Sequence, residues 1–291
     1  MSADDRYRLD RRRVRVSFDR AARQYDEAAV LQHEVCDRLL QRLDLVKLAP
    51  ARILDLGAGT GRGARGLRAR YRRATVCALD LSEAMLRETR RRAGWWRRPL
   101  AVAGDAQRLP FADAAFELIY SSLSLQWSDD LDATFTGLRR VLAPGGLFTF
   151  TTFGPDTLRE LRAAWAQVDP EGIHVNRFFD MHDIGDALVR AGFADPVMDM
   201  EMITVTYATV RRLMEDLRAI GATNAATGRP RGLMPRSWLG ELEKAYEVFR
   251  LEGGTLPATY EVVYGHAWAP RAPVAGPAGL PERFIPIVPR G

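Results

Sequence analysis

Short apolar runs alternate with stretches of helical periodicity through the first half of the chain. Five apolar runs bounded by glycine, proline or polar residues predict buried strands, at 53–56, 74–79, 100–103, 116–120 and 147–152. Apolar residues at helical spacing between them predict helices, at 61–71, from 82 onward and at 131–142. Strands that alternate with helices are typical of an α/β fold with a mostly parallel sheet.

Helical patterns also flank these strands. Phe18, Ala21, Ala22 and Tyr25 recur at helical spacing, and a second apolar stripe follows over 28–43. After the fifth strand, the pattern predicts helices at 157–167, 181–191, 210–220 and 236–249, and strands at 197–207 and 260–268. The predicted architecture is therefore a seven-stranded, mostly parallel sheet with helices on both faces.

The same pattern divides the chain into one domain and two flanking segments. We expect the domain to span 16–270, with an N-terminal helical lid (16–46) and a helical insert (208–257) before the last strand. Residues 1–15, here called the N-terminal arm, are dense in charge, and we expect them to be disordered. The tail, 271–291, is rich in proline and glycine, and we expect it to be disordered as well.

The first strand runs into a glycine motif. Asp55, Gly57, Gly59 and Gly61 form the pattern D-x-G-x-G-x-G, and helix-forming residues follow from position 62. This spacing differs from the G-x-G-x-x-G of dinucleotide-binding folds and from the lysine-containing P-loop. Glycine is favoured where the backbone takes a positive φ or comes close to a ligand. The turn therefore predicts a site for a nucleotide-like molecule at the start of the following helix.

Two acidic residues end the next strands. Asp80 follows the second strand, where a carboxylate can accept hydrogen bonds from a ribose diol, and Asp105 follows the third. With the glycine turn, this set resembles the class I S-adenosylmethionine (AdoMet) methyltransferases, which have a Rossmann-like fold. A glycine-bearing turn in another α/β fold is the alternative.

The resemblance implies a cofactor site. It implies that the three glycines shape the turn, that Asp80 holds the ribose and that Asp105 contacts the adenine. It extends the cofactor-binding set to residues around these strand ends and in the lid: Gln32, Asp55, Leu81, Met85, Ala106 and Ser122.

Residues outside these cofactor motifs resemble one particular family of methyltransferases. Residues 18–26, Gln126-Trp127, 153–158, 182–186 and 221–233 together resemble the malonyl-[acyl-carrier protein] O-methyltransferase family of biotin synthesis, the BioC type. This resemblance implies methyl transfer from AdoMet to the free carboxylate of a malonyl group, with S-adenosyl-L-homocysteine as the second product. A carboxylate, with an ordinary pKa near 4, is already ionised at neutral pH and needs no general base.

The family resemblance also implies residue roles. Tyr25, Gln126 and Trp127 are expected in the methyl-transfer pocket, which Gln32 also lines. An acidic acyl-carrier protein bearing malonyl-phosphopantetheine is the implied partner. We expect five arginines to meet this carrier: Arg159, Arg162, Arg229, Arg231 and Arg236.

Composition and residue spacing also bear on possible partners, metal sites and membrane segments. The formal net charge is +5 and the pI about 9.5, which is compatible with an acidic partner. The two cysteines and four histidines lack metal-ligand spacing, so we expect no metal. No apolar run approaches the ~20 residues of a membrane span, and the charged N-terminus does not resemble a secretory signal. We expect a cytoplasmic monomer that binds no nucleic acid.

Three alternative functions stay open. One is an AdoMet-dependent methyltransferase of a small quinone-like molecule. Another is a respiratory-complex assembly factor that binds AdoMet. A third is an RNA methyltransferase, which the basic pI suggests but which residues 121–127 disfavour, because they contain neither a catalytic cysteine nor an Asn-Pro-Pro-Tyr-type loop.

Overall fold

The apolar runs of the sequence become the strands of a single sheet. The computed structural model describes residues 4–94, 98–230, 232 and 235–271. The strands are β1 (Arg52–Leu56), β2 (Thr75–Asp80), β3 (Leu100–Ala103), β4 (Phe116–Ser122), β5 (Leu142–Phe153), β6 (Ala194–Tyr207) and β7 (Leu256–Trp268). Their order in the sheet is β3-β2-β1-β4-β5-β7-β6.

Helices connect the strands and cover the sheet. Those of the described ranges are α1 (Arg11–Ala21), α2 (Tyr25–Ala28), α3 (Val30–Arg42), α4 (Arg62–Arg70), α5 (Glu83–Arg92), α6 (Leu131–Val141), α7 (Arg159–Val168), α8 (Met181–Arg190), α9 (Val210–Ala219) and α10 (Arg236–Tyr246). Two of them, α9 and α10, lie between β6 and β7, where the helical insert was predicted. Within the described residues, no helix has both the length and the apolar character that crossing a membrane requires.

The strand order creates a crevice at one edge of the sheet. Strands β1 to β5 pair in parallel, whereas β7 runs antiparallel to both β5 and β6. The chain moves outward from β1 to β3 and then returns to place β4 on the other side of β1. Ligands of open α/β sheets bind at the carboxyl ends of the strands, at this reversal of order. The α/β prediction is confirmed, and the topology indicates where a ligand binds.

Apolar side chains fill both faces of the sheet. One layer contains Val35, Leu39, Ile53 and Leu67, packed between the sheet and the helices of one side. The other contains Leu54, Phe135, Phe148 and Phe150, all buried against α6 and α8. The two cysteines belong to these layers, and burial raises the pKa of Cys36 to about 12 and of Cys77 to about 11. Both thiols are therefore unreactive core groups at neutral pH.

Several strands are longer than the sequence predicts. Strand β5 begins at Leu142 instead of 147, and β7 begins at Leu256 instead of 260. Strand β7 pairs with β6 from Leu256, opposite Tyr207, to Trp268, opposite Ala194. This long pairing explains the extension, because the partner strand supplies hydrogen bonds that no local pattern reveals.

The N-terminal arm differs most from the expectation. A 3-10 turn spans Asp4–Tyr7, and α1 begins at Arg11 with Asp10 as its N-cap, so the prediction of disorder is wrong for residues 4–15. Leu9 and Val14 are buried, and these two apolar anchors hold an otherwise charged segment. The predicted tail lies outside the described residues except for Arg271.

Candidate active site

The glycine turn lies directly after β1. Gly57, Gly59 and Gly61 all have positive φ, at 71°, 55° and 83°, which side-chain-bearing residues rarely adopt. The backbone N–H groups of Gly57 and Ala58 donate to the Leu79 carbonyl, at 2.8 and 3.0 Å, and tie the turn to β2. A Cβ on Gly57 would overlap Ser124 Oγ, whereas a Cβ on Gly59 would meet nothing within 4 Å. The turn therefore packs tightly at Gly57 and leaves open space at Gly59.

Asp80 lies beside this open space, at the end of β2. Its carboxylate accepts hydrogen bonds from the backbone N–H groups of Gly59 and Ser82, each at 2.8 Å. Burial raises the pKa of Asp80 to about 6, although these hydrogen bonds oppose the shift. A carboxylate has about four lone-pair sites, so Asp80 retains acceptor capacity for a ligand.

Asp55 and Gly61 support the turn from behind and do not belong to the cavity wall. Asp55 is 2% exposed, and its Oδ2 atom is buried without a hydrogen-bond partner among the described residues. Burial raises the pKa of Asp55 to about 7. A Cβ on Gly61 would approach Thr89 Cγ2 to 2.7 Å, so glycine lets α5 pack against the turn.

Asp105 has a partner that the sequence did not suggest. Its carboxylate forms a two-point ion pair with the guanidinium of Arg11, with Nε to Oδ2 at 3.0 Å. Arg11 also donates to the carbonyl of Trp127. The neighbouring Ala106 lines the cavity, whereas Asp105 is not part of its wall. The structure therefore places Asp105 where it holds the N-terminal arm, and its contact with adenine stays a prediction.

The lid helices close the cavity from above. Phe18 of α1, Tyr25 of α2 and Gln32 of α3 all line it. Burial raises the pKa of Tyr25, and the negative charge of Asp80 adds to this effect. The Gln32 Oε1 atom is buried and has no hydrogen-bond partner in the described part of the chain. An unpartnered buried acceptor in a cavity wall indicates a ligand donor.

The segment after β4 forms the facing wall. Gln126 is 7% exposed and is held by its Nε2 donating to the Leu123 carbonyl at 2.7 Å. The Trp127 indole packs edge-on against Phe18, with ring centroids 5.1 Å apart. Ser122, Leu81 and Met85 also line the cavity, and Met85 is 1% exposed. The structure thus brings the predicted pocket residues together.

The sequence analysis missed His174. This side chain lines the cavity, and its Nε2 lies 2.8 Å from Asp169 Oδ2. Its ring stacks on Trp165 at a centroid distance of 3.8 Å, and Trp238 packs against it edge-on at 5.9 Å. A lone histidine without metal-ligand spacing gives no local signal of such a cluster.

Asn176 is a second residue that the sequence analysis missed. It follows His174 by two positions and also lines the cavity. Its Oδ1 accepts from the backbone N–H of Ala225 at 3.1 Å, which fixes the orientation of the amide. His174 and Asn176 therefore contribute two polar side chains to this part of the wall, where Asn224 and Thr157 also lie.

The five arginines that were predicted to meet the carrier differ in their hydrogen-bond partners. Arg159 donates to Glu160 Oε1 at 3.4 Å, and Arg162 donates to the carbonyls of Pro155 and Thr157, each at 2.8 Å. Arg229 donates to the Ala226 carbonyl at 3.1 Å. Arg231 lies outside the described residues, and of Arg236 only the backbone is described. Three of the five guanidinium groups are thus engaged by their own chain.

The cavity extends along the carboxyl edge of the sheet. It encloses about 1410 Å³ when the part open to solvent is counted. Its wall extends from Asp80, at the end of β2, to Phe153, at the end of β5, and Tyr260 of β7. In the described ranges, no group of three or more His, Cys, Asp or Glu side chains could hold a metal ion.

Comparison with solved structures identifies the fold. The YcgJ protein of Bacillus subtilis matches with a TM-score of 0.58 and 14% identity, over 82% of this chain and 100% of that one. A phosphoethanolamine N-methyltransferase of Haemonchus contortus, solved with S-adenosyl-L-methionine, matches with a TM-score of 0.56 and 19% identity, over 87% of this chain and 57% of that one. The predicted Rossmann-like class I methyltransferase fold is confirmed.

Comparison of sequences identifies the family. The profile of a methyltransferase domain matches residues 54–150. A malonyl-[acyl-carrier protein] O-methyltransferase of Halorhodospira halophila is 53% identical, over 97% of this chain and 94% of that protein. Another from Methylovorus sp. is 54% identical, over 97% of each. The chain belongs to the malonyl-[acyl-carrier protein] O-methyltransferase family.

Proposed function

We propose that this protein transfers the methyl group of AdoMet to the free carboxylate of malonyl-[acyl-carrier protein]. The observation that carries the proposal is the identity of more than half over almost the full length of relatives named for this activity. The methyl ester it forms would prime pimeloyl and biotin synthesis. We also propose that the protein acts as a monomer in the cytoplasm.

The cofactor would occupy the part of the cavity between the glycine turn and the lid. The open space at Gly59, the acceptor capacity of Asp80 and the unpartnered Gln32 Oε1 all fit its ribose and polar donors. Met85 and Ala106 supply apolar wall beside them. When bound, AdoMet supplies a sulfonium methyl that a carboxylate oxygen takes up while the carbon–sulfur bond breaks and its electron pair stays on sulfur.

The chain's own residues contribute alignment and exclusion of water. No proton has to be removed, because the accepting carboxylate is already ionised at neutral pH. Burial keeps the Tyr25 hydroxyl protonated, so it can donate a hydrogen bond but cannot serve as a base. The reaction cancels a positive and a negative charge, and removing water from two aligned reactants favours such a step. Trp127, Phe18 and the lid provide that dry enclosure.

The malonyl end would lie near His174 and Asn176. An anionic acyl group in a largely apolar wall needs a hydrogen-bond donor or a cation. Both basic side chains in the described wall have a carboxylate partner: Asp105 binds Arg11 at two points, whereas Asp169 contacts only Nε2 of His174, so the other ring nitrogen can face a ligand. The Trp165 ring and Asp169 hold the imidazole in one orientation. We propose that His174 binds the malonyl group and positions it for transfer.

Replacing His174 by glutamine should lower kcat/KM for malonyl-carrier about 10–100-fold, because a hydrogen bond to a charged group contributes about 1.5–3 kcal/mol. AdoMet affinity should stay within twofold, since His174 lies outside the cofactor part of the cavity. The measurements are steady-state kinetics with malonyl-carrier and calorimetry with AdoMet.

His182 offers a matched control for this experiment. It has the same type of hydrogen bond, from Nδ1 to Asp180 Oδ1 at 2.7 Å, but its side chain is 85% exposed and lies outside the cavity. His182→Gln should leave the kinetics unchanged. An equal loss in both variants, or unchanged kinetics in His174→Gln, would contradict the assigned role.

The proposed reaction is tested by mass spectrometry of the carrier after incubation with the protein and AdoMet. We expect a gain of one methyl group on malonyl-carrier and none on acetyl-carrier, which lacks the free carboxylate. AdoMet binding without transfer to malonyl-carrier would refute the proposal. Methylation of small quinone-like molecules instead would favour that alternative.

A further inference from the structure

The positive charge of this protein is concentrated in its N-terminal arm. The arm, residues 1–15, contains six arginines and three aspartates, a net charge of +3. The formal net charge of the whole chain is +5, so the much longer remainder carries only +2. A general excess of arginine does not explain this distribution, because arginine elsewhere is almost balanced by acidic residues.

The fold holds the arm at a fixed place. Leu9 pairs with Ala226, and backbone hydrogen bonds of 2.8–2.9 Å connect Asp10 with Ala225 and Arg8 with Thr227. The Leu9 N–H also donates to Asp129 Oδ1 at 2.6 Å. These contacts present the arginines in one arrangement, which reduces the entropy lost when a partner binds.

Helix α1 has one face in the cavity wall and another in solvent. Arg11, Val14 and Phe18, at helical spacing, line the cavity. Arg12 and Arg15 are exposed, and neither guanidinium group forms a hydrogen bond or an ion pair within the described ranges. Arg8 is also exposed, just ahead of the helix. We call Arg8, Arg12 and Arg15 the arm face.

Nearby acidic groups leave the arm face positive. Asp105 is paired with Arg11, and Asp10 accepts from the backbone of Arg13 as the N-cap of α1. Asp19 accepts from Ser82 Oγ at 2.6 Å, at the start of α5. Asp129 accepts a hydrogen bond from the Leu9 N–H of the arm, and it interacts electrostatically with Arg8. Each of these carboxylates thus has a partner other than Arg12 or Arg15.

We infer that the arm face is the docking surface for the acidic carrier protein, in place of the Arg159 and Arg162 region that the sequence suggested. The inference rests on the proposed function, which requires such a carrier. Arg159 and Arg162 donate to their own chain, whereas Arg12 and Arg15 are available. A carrier on the arm face would also deliver its prosthetic group beside the cavity, because the opposite face of α1 lines it.

The double charge reversal Arg12→Glu with Arg15→Glu tests this inference. We expect kcat/KM for malonyl-carrier to fall at least about tenfold, since charges at the rim of an interface set the association rate. With malonyl-pantetheine, which has no protein part, kcat/KM should change less than about twofold. Both substitutions suit a helix, and the midpoint of thermal unfolding checks folding.

Arg72 and Arg73 provide the matched control. Both are exposed, and they precede β2, at the opposite edge of the sheet from the cavity. Arg72→Glu with Arg73→Glu changes the net charge by the same amount and should leave both substrates unaffected. An equal loss in this control would mean that net charge alone matters and would overturn the inference.

Further outcomes separate this inference from the proposed reaction. An equal fall in kcat/KM with both substrates in the arm variant, or no fall with malonyl-carrier, would overturn the inference about the docking surface. Either result would leave the proposed reaction intact. If the unmodified protein methylates neither substrate, the proposed reaction fails. Calorimetric titration with the carrier then still decides the docking question: weaker binding only in the arm variant supports it, and equal binding in both variants overturns it.

Discussion

Replacing Gly57 by alanine is expected to weaken AdoMet binding about 10–100-fold and to destabilise the fold by about 2–5 kcal/mol. Left-handed backbone costs a residue with a Cβ about 1–2 kcal/mol. The new methyl group would also overlap Ser124 Oγ, and relieving such overpacking costs about 1–3 kcal/mol. Both the turn and Ser124 line the cavity, so the adjustment deforms the cofactor site. Calorimetry with AdoMet and chemical denaturation measure the two effects.

The substitution Gly94→Ala is a control that separates the cost of backbone strain at Gly57 from the cost of the overlap with Ser124. Its φ of 66° is close to the 71° of Gly57, but a Cβ there would meet no atom of the described residues within 4 Å. Gly94→Ala should therefore cost only about 1–2 kcal/mol and leave AdoMet affinity unchanged. Equal destabilisation in the two variants would show that the contact with Ser124 is unimportant.

Replacing Asp80 by alanine should weaken AdoMet binding about 10–150-fold while the protein still folds. The carboxylate offers charge-assisted hydrogen bonds to a ribose diol, and each such bond contributes about 1.5–3 kcal/mol. Gly59 and Ser82 also lose their acceptor; Gly59 borders the cavity, whereas Ser82 is buried, so the substitution also costs some stability. Unchanged affinity by calorimetry would remove Asp80 from the cofactor site.

The raised pKa of the Asp80 carboxylate leads us to expect that AdoMet affinity depends on pH. Burial raises the pKa of Asp80 to about 6, so the acceptor form is present above that pH and is lost as the pH falls through it. AdoMet affinity should therefore decrease on acidification from pH 7 to 5. Asp80→Asn should bind weakly at both pH values, because it cannot change charge in this range. A pH dependence retained in this variant would assign the effect to another group.

Local patterns predicted the central sheet well. Each of the first five strands is an apolar run, all but β3 are followed by a helix, and the glycine turn has a recognisable spacing. The assignment of Asp80 to the cofactor site was predicted from its position at the end of a strand. Such features depend on neighbours within a few residues, so the sequence contains nearly all of the information.

Contacts between distant segments were not predictable in the same way. The arm is ordered because Leu9 meets Ala226, more than two hundred residues away. Asp105 was assigned to a ligand because nothing near it in the sequence indicates Arg11 as a partner. His174 belongs to a cluster that Trp238 completes from the helical insert. Charge density suggested disorder, and two buried apolar residues were enough to override it.

Helix α1 links two surfaces through a single rigid element. Its inner side chains belong to the cavity, and its outer arginines face solvent. A ligand in the cavity that displaces this helix changes the affinity of anything bound outside, and thermodynamic reciprocity makes the factor the same in both directions. Occupancy of the cavity and recruitment of a partner are then one linked equilibrium.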